Sequence, residues 1–298
     1  MKLGFSLPVA GPSATAEGIT RVAKRAEELG YHSLWTWERL LVPLKPQTSY
    51  IGTADGSYPD YFSRVMDPLD VLTFAAAHTS RIRLGVSVAV MGHYHPLPFA
   101  RRCATIDVLS GGRLDVGLGQ GWSKDEHDAM GVAMKDRARR ADEFVDVLKK
   151  AWTEKIVEFQ GDFFQVPPSR IDLKPVQKPH PPIYMAAFSP GAMNRIAAKA
   201  NGWTPVAVPI KAMPDMLNGI KEMAKAEGRA PTEIKLVVRA NVHVTDKPLA
   251  ERFPYVGSWD QILSDIEETR RLGADELFVD PQGGSPETFL EVMERLRP

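Results

Sequence analysis

A chain of 298 residues with 44% hydrophobic side chains is long enough for one large core or two smaller ones. Its 37 basic and 37 acidic residues cancel, which argues against nucleic acid or an anionic membrane as partner. The single cysteine, Cys103, excludes an internal disulfide and a four-thiolate zinc site. No run reaches the ~18 apolar residues of a membrane span, and the apolar start Met1 to Val9 is too short for a signal peptide. The expectation is a cytoplasmic protein.

Short strand-like runs alternate with amphipathic helices along the chain. Lys2 to Leu7 alternates, and Thr15 to Leu29 then carries Ile19, Val22, Ala23, Ala26 and Leu29 at helical spacing and stops at Gly30. Further strands are expected at Ser33 to Trp37, Ile82 to Ala89, Arg113 to Leu118, Ile183 to Ala187, Gly202 to Ala207, Ile234 to Val244 and Glu276 to Val279. Helices fall between and after them, at Pro68 to His78, Pro98 to Leu109, Arg137 to Trp152, Pro190 to Ala200, Ala212 to Glu227, Ser258 to Leu272 and Pro286 to Leu296. Eight strands, each followed by a helix, predict a single α/β domain over residues 1–298, a (β/α)8 TIM barrel. Two insertions interrupt it. Leu40 to Met66, after the second strand, reads as a lid over the site or as an inert surface insertion, and Glu154 to Pro182, after the fourth helix, contains a hairpin around Gly161.

Alternation assigns faces to the strands. Leu84, Val86, Leu114, Val116 and Leu118 should pack on the helices, leaving Gly4, Ser6, Gly85, Ser87, Asp115, Gly117 and Gly119 facing inward. Two readings follow: the top of the barrel admits something broad and flat, or large side chains from other strands fill the space. Two segments offer backbone amides to an anion. One is the glycine loop Gly117 to Gly121 at a strand end, and the other is Ala186 to Met193, where Ser189 reads as an N-cap and Pro190 as the first helical residue. Glu38 and Arg39 end the second strand, where they serve either chemistry or a mutual salt bridge. Arg137, Arg139 and Arg140 open a long helix from which one can reach an anionic tail, with Arg140 taken as the contact. The sequence "HYH" at His93 to His95 lacks a carboxylate partner by spacing, so no metal site is expected.

The segments "HYHPLPFARRCATIDVLSGGRLDVGLGQGW", "KPVQKPHPPIYMAAFSPGAMNRIAAKANGW" and "GSWDQILSDIEETRRLGADEL" resemble, in order, the bacterial luciferase-like flavin and deazaflavin oxidoreductases, and "WERLLVPL" with "FQGDFFQVP" resembles the subgroup that uses coenzyme F420. The resemblance implies a homodimeric barrel whose mouth holds F420 or FMN. The phosphate would lie on the loops after strands four and five, here Gly119, Gln120, Gly121 and Trp122 with Ala187, Phe188 and Ser189. A non-prolyl cis peptide at Ser87–Val88 would support the ring. The chain departs from the family pattern at three points: Glu38-Arg39 replaces Asp-His, Gln120 replaces a phosphate-binding Arg, and Phe188-Ser189 replaces paired glycines. The expectation is an F420-dependent oxidoreductase acting on a small organic substrate, with Glu38, and secondarily His95, in proton transfer. One alternative is an FMN-dependent monooxygenase supplied by a flavin or F420 reductase system. Another is a non-catalytic flavin-binding protein.

Overall fold

The computed structural model describes residues 1–53 and 55–298; residue 54, inside the expected lid, lies outside the described residues. The chain opens with β1 (Lys2–Ser6), α1 (Ala16–Leu29), β2 (Ser33–Thr36), α2 (Pro68–His78), β3 (Arg83–Val90), α3 (Pro96–Leu109) and β4 (Leu114–Gly119). A short α4 (Lys124–Ala129) and the long α5 (Arg137–Thr153) precede an antiparallel hairpin of β5 (Ile156–Gln160) and β6 (Gln165–Arg170). The rest is β7 (Ile183–Met185), α6 (Pro190–Lys199), β8 (Gly202–Trp203), α7 (Met213–Ala226), β9 (Lys235–Asn241), a small pair of β10 (His243–Val244) and β11 (Val256–Gly257), α8 (Trp259–Arg271), β12 (Glu276–Asp280) and α9 (Pro286–Arg295). Eight of the strands close into a parallel barrel in the order β1-β12-β9-β8-β7-β4-β3-β2. This is the expected (β/α)8 architecture, with both insertions where the composition placed them.

Local chemistry explains the helix limits. Thr15 Oγ1 accepts from Gly18 N at 3.0 Å to start α1, and Gly30, at φ +85°, ends it in the left-handed region. Asp67 caps α2 by accepting from the amides of Leu69 and Asp70, with Pro68 fixing the first turn. Outside the barrel, Phe5, Leu34, Leu84, Val86, Leu114 and Val116 pack fully buried against the helices. Each such burial contributes roughly 1.5–3 kcal/mol.

The barrel interior is filled from below. Trp35 stacks on Phe278 with ring centroids 4.8 Å apart and joins Val237 in an inner cluster. A Cβ on Gly85 would lie 2.4 Å from the Trp35 ring, so the space opposite that glycine belongs to the indole and not to a ligand. Below this layer Arg83 grips Asp115 through two bonds of 2.7 and 2.6 Å, and Glu276 accepts from Trp35 Nε1 at 2.8 Å and from Ser33. The N-terminal end is therefore plugged, and a ligand can enter only at the C-terminal mouth.

Candidate active site

β3 bulges where it enters the mouth: its register to β4 shifts between Val86 and Ala89, and the Ser87–Val88 peptide is cis. Ser87 faces inward, its Oγ 3.1 Å from Thr204 Oγ1, and its carbonyl accepts from Arg239 Nη1 at 3.1 Å. The bulge presses on β4, and this explains the glycines that sequence reasoning had left to ligand clearance. A Cβ on Gly117 would sit 2.1 Å from the Val86 carbonyl oxygen, and one on Gly119 2.4 Å from Val88 Cγ2. Gly121 adopts φ +78° and would meet Val90 and His127. The alternating glycines are thus the imprint of the neighbouring strand.

Beside the bulge lies a buried polar chain. Glu38 Oε2 accepts from Val90 N at 2.6 Å and Oε1 from the Tyr94 hydroxyl at 2.5 Å, so both of its oxygens hold the end of β3. His93 Nδ1 is 3.4 Å from Glu38, and its Nε2 is 3.8 Å from Glu126. Arg39 turns away from Glu38. Its Nη2 donates to Glu126 Oε2 at 2.7 Å, and its guanidinium lies 4.5 Å over the Trp122 ring. Glu126 Oε1 also accepts from Leu40 N at 2.8 Å, which ties the start of the lid to α4. Burial and the Glu38 carboxylate push the Tyr94 hydroxyl pKa upward, so it stays protonated and donates.

Two groups of backbone amides meet at the mouth. β4 and β7 are adjacent in the barrel, and the segments that follow them leave side by side. None of the amides of Gln120, Gly121, Trp122, Ala187, Phe188 or Ser189 donates to another described residue. The Gln120 carbonyl lies 2.9 Å from His127 Nε2. Burial lowers the His127 pKa, and the charges of His93 and Arg137 add to the effect. Ser189 caps α6 through Ala192 N, Ala187 is buried, and Phe188 is 62% exposed.

Two further expected site residues stand by the hairpin. Arg140 stacks over Phe163 and Phe164 of the hairpin, 5.3 and 4.8 Å from their centroids, and Arg139 pairs with Asp162. His95 is the N-cap of α3, accepting from Leu97 N at 3.3 Å with its ring against Phe164. Arg140 and His95 thus form one group with the hairpin, apart from the contacts of the Glu38 chain. Burial, reinforced by Arg140, lowers the His95 pKa.

Sequence reasoning missed the centre of the mouth. Arg239, on β9, donates from Nε and Nη2 to Asp280 Oδ2 on β12, at 3.1 and 2.5 Å, and lies 5.5 Å over Trp37. Burial raises the Asp280 pKa, and the Arg239 charge opposes the rise. The lid supplies the roof: Tyr61 meets Trp37 edge-on at 6.5 Å, and Tyr50 and Tyr58 pack on Trp122. Met66 N donates to the Val9 carbonyl at 2.9 Å and Gln47 N to Asp125, so this segment is bonded down at both ends. Among the described residues no group of three or more His, Cys, Asp or Glu is arranged to hold a metal ion, and no helix is long and apolar enough to cross a membrane.

The model of a luciferase-like monooxygenase family matches residues 1–252. An uncharacterised protein of Mycobacterium tuberculosis, Rv0953c, is 36% identical over 217 residues, 71% of this chain and 77% of its own length. An FMNH2-dependent dimethylsulfone monooxygenase of Pseudomonas putida is 30% identical over 173 residues, 57% of this chain and 47% of that protein. Among solved structures, the monooxygenase RslO1 of Streptomyces bottropensis superposes with a TM-score of 0.81 at 25% identity, covering 99% of this chain and 97% of that one. A coenzyme F420-dependent tetrahydromethanopterin reductase of Methanopyrus kandleri gives 0.75 at 21% identity over 98% and 96% of the two chains, a likeness of fold.

Proposed function

Because the chain belongs to the luciferase-like monooxygenase family, we propose that it is an oxidoreductase that binds coenzyme F420 at the barrel mouth and reduces or oxidises a small organic substrate beneath the lid. The observation that carries the choice of cofactor is the charge of the anion site. Six unbonded amides stand there, the loop position itself is the neutral Gln120, and Arg137, at the start of α5 and without an acidic partner among the described residues, is taken as the one cation that reaches them. The phosphate of F420 is a diester with one negative charge, whereas the monoester of FMN carries close to two at neutral pH. Amides at strand and helix ends with a single cation suit the former.

When bound, the deazaflavin supplies a two-electron hydride donor or acceptor. The chain's own residues position and shield. Val88, beside the bulge, borders the place for the ring, while Glu38, with both oxygens engaged, fixes the strand end that carries it. This makes Glu38 a positioning residue rather than a proton carrier. Trp37, Tyr50 and Tyr61 exclude water from above.

The second reading is an FMN-dependent monooxygenase that receives reduced flavin from a separate reductase, and the 30% identity to an FMNH2-dependent enzyme favours it. Titrating the purified protein with F420 and with FMN, each oxidised and reduced, separates the two by fluorescence. F420 should bind and FMN should bind more weakly. Binding of FMN alone would overturn the first reading, and binding of both without turnover of any substrate would leave a flavin carrier.

A further inference from the structure

Three adjacent strands end in inward-facing polar side chains, each with one oxygen that makes no hydrogen bond. β12 lies between β1 and β9, and Asp280 is the register partner of Asn241. Gly4 on β1 abuts Ser33, Glu276 and Phe278 in the interior, so Ser6, two residues on, faces the same way. Val237 packs in the inner cluster and Arg239 reaches Asp280, so Asn241 continues the inward face of β9. Ser6 Oγ, Asn241 Oδ1 and Asp280 Oδ1 are all buried, and none makes a hydrogen bond. Ser6 and Asp280 are themselves almost wholly inaccessible. The Ser6 hydroxyl lies near enough to the Asp280 carboxylate to oppose its upward pKa shift, without the alignment of a bond.

Unsatisfied polar atoms in a folded interior are uncommon, and three on neighbouring strands at the mouth of a barrel mark a place for a ligand. Their chemistry is that of acceptors. Asp280 Oδ1 accepts only, Asn241 Oδ1 accepts, and the serine hydroxyl does either. Charge is already balanced: Arg239 neutralises Asp280, and its Nε and Nη groups donate to Asp280 and to the Ser87 carbonyl. An anion would set a second negative charge beside the Asp280 carboxylate, and a cation would bring uncompensated charge into a site whose pair is already neutral. Trp37 and the roofing Tyr61 set flat apolar surface next to this group.

We propose that Ser6, Asn241 and Asp280 form the substrate subsite of the mouth, and that the substrate is an uncharged molecule carrying a hydroxyl group on a planar or cyclic body. The hydroxyl donates to Asp280 Oδ1, and Asn241 and Ser6 complete its hydrogen bonds while the body lies against Trp37. This deepens the proposed function by naming the class of molecule at that same site.

The test is binding of three probes to the purified full chain, benzyl alcohol, benzyl methyl ether and benzylamine, read by saturation-transfer NMR. The alcohol should bind at least about tenfold more tightly than the ether, the cost of leaving a buried acceptor unpaired. The double variant Ser6→Ala/Asn241→Leu, which keeps Asp280 but removes the groups that complete the hydroxyl's bonds, should narrow that preference while its F420 and FMN titrations stay as in the native protein. If the double variant does not fold, Ser6→Ala alone, which removes one oxygen, should narrow the preference. Equal binding of alcohol and ether, no binding of the alcohol, tightest binding of the amine, or a preference unchanged in the variants would each overturn the subsite. Failure of both cofactor titrations with the alcohol preference intact would overturn the proposed function and leave the subsite standing.

Discussion

Arg39 Nη2 lies 2.7 Å from Glu126 Oε2, and both side chains are almost fully buried. The pair joins the end of β2 to α4 across the mouth, and Glu126 also holds the first amides of the lid. Removing one member of a buried pair leaves the other charged and unpaired, which costs about 3–5 kcal/mol. Glu126→Ala should therefore lower stability by that amount in urea unfolding. The double variant Arg39→Met/Glu126→Leu should recover a large part of the loss. A single variant within 1 kcal/mol of the native protein, on the order of a surface pair, would show that the pair is solvated in solution.

The glycines of β4 should not tolerate alanine equally. At Gly117 the new Cβ would strike a backbone oxygen, which cannot move aside without shifting β3; at Gly119 it would strike a valine methyl, which can rotate. Gly117→Ala is expected to cost about 2–3 kcal/mol and Gly119→Ala about 1. Gly219, inside α7 with open space where its Cβ would be, is the control. Its replacement by alanine should stabilise by about 0.5–1 kcal/mol. Equal costs at Gly117 and Gly119 in denaturant titrations would contradict the bulge contact.

These glycines also show what the sequence could and could not convey. Period and punctuation were enough for the barrel, because Ile19, Val22 and Ala26 repeat at helical spacing before a left-handed Gly30, and Asp67-Pro68 writes out a helix start. The end of β4 and the start of α6 were legible for the same reason: a strand end and a Ser-Pro cap are local features. α4 was missed because "KDEHDA" has no apolar stripe, although Ser123, whose Oγ accepts from Glu126 N, is a cap signal that could have revealed it. The Arg239–Asp280 pair had no signal at all. It is made by register between β9 and β12, and register is a tertiary property. Glu38 and Arg39 follow the end of β2, and their side chains take partners far along the chain, Tyr94 and Glu126, instead of each other.

Glu276 gives the stability a defined pH dependence. Desolvation inside the barrel raises its pKa from 4.5 to about 7, against the bonds from Ser33 and Trp35. Between these values the folded protein holds a proton that the unfolded chain has lost, so this group's contribution to stability falls as pH rises through about 7. His32, 3.9 Å away, titrates below this window, its pKa lowered to about 4 mainly by burial. At pH 6.5 the unfolded His32 is still about half protonated, and burial also lowers the pKa of His95, His127 and His180, so these rings add a slope of opposite sign at the lower edge of the window and the Glu276 contribution is the difference between the native and Glu276→Gln profiles. Glu276→Gln should raise the melting temperature increasingly, relative to the native protein, as pH rises towards about 8. A difference between the two profiles that stays constant with pH would rule out the assignment.

Arg137 carries the charge argument for the cofactor and gives the sharpest test of it. Its Nη1 donates to the Met134 carbonyl at 3.0 Å, it has no acidic partner among the described residues, and its charge acts on His127 in α4, whose ring meets the Gln120 carbonyl. Arg139 in the same helix turn is paired with Asp162, and Arg140 is stacked on the hairpin phenylalanines. Arg137→Gln should therefore weaken F420 binding by about tenfold, the worth of one charge-assisted hydrogen bond, and reduce its dependence on salt. Arg139→Gln and Arg140→Gln should leave both nearly unchanged. The measurement is the F420 fluorescence titration at low and high ionic strength for all three variants. If Arg140→Gln weakens binding while Arg137→Gln does not, the tail lies along the hairpin and the anion site must be redrawn around α5 and Phe164.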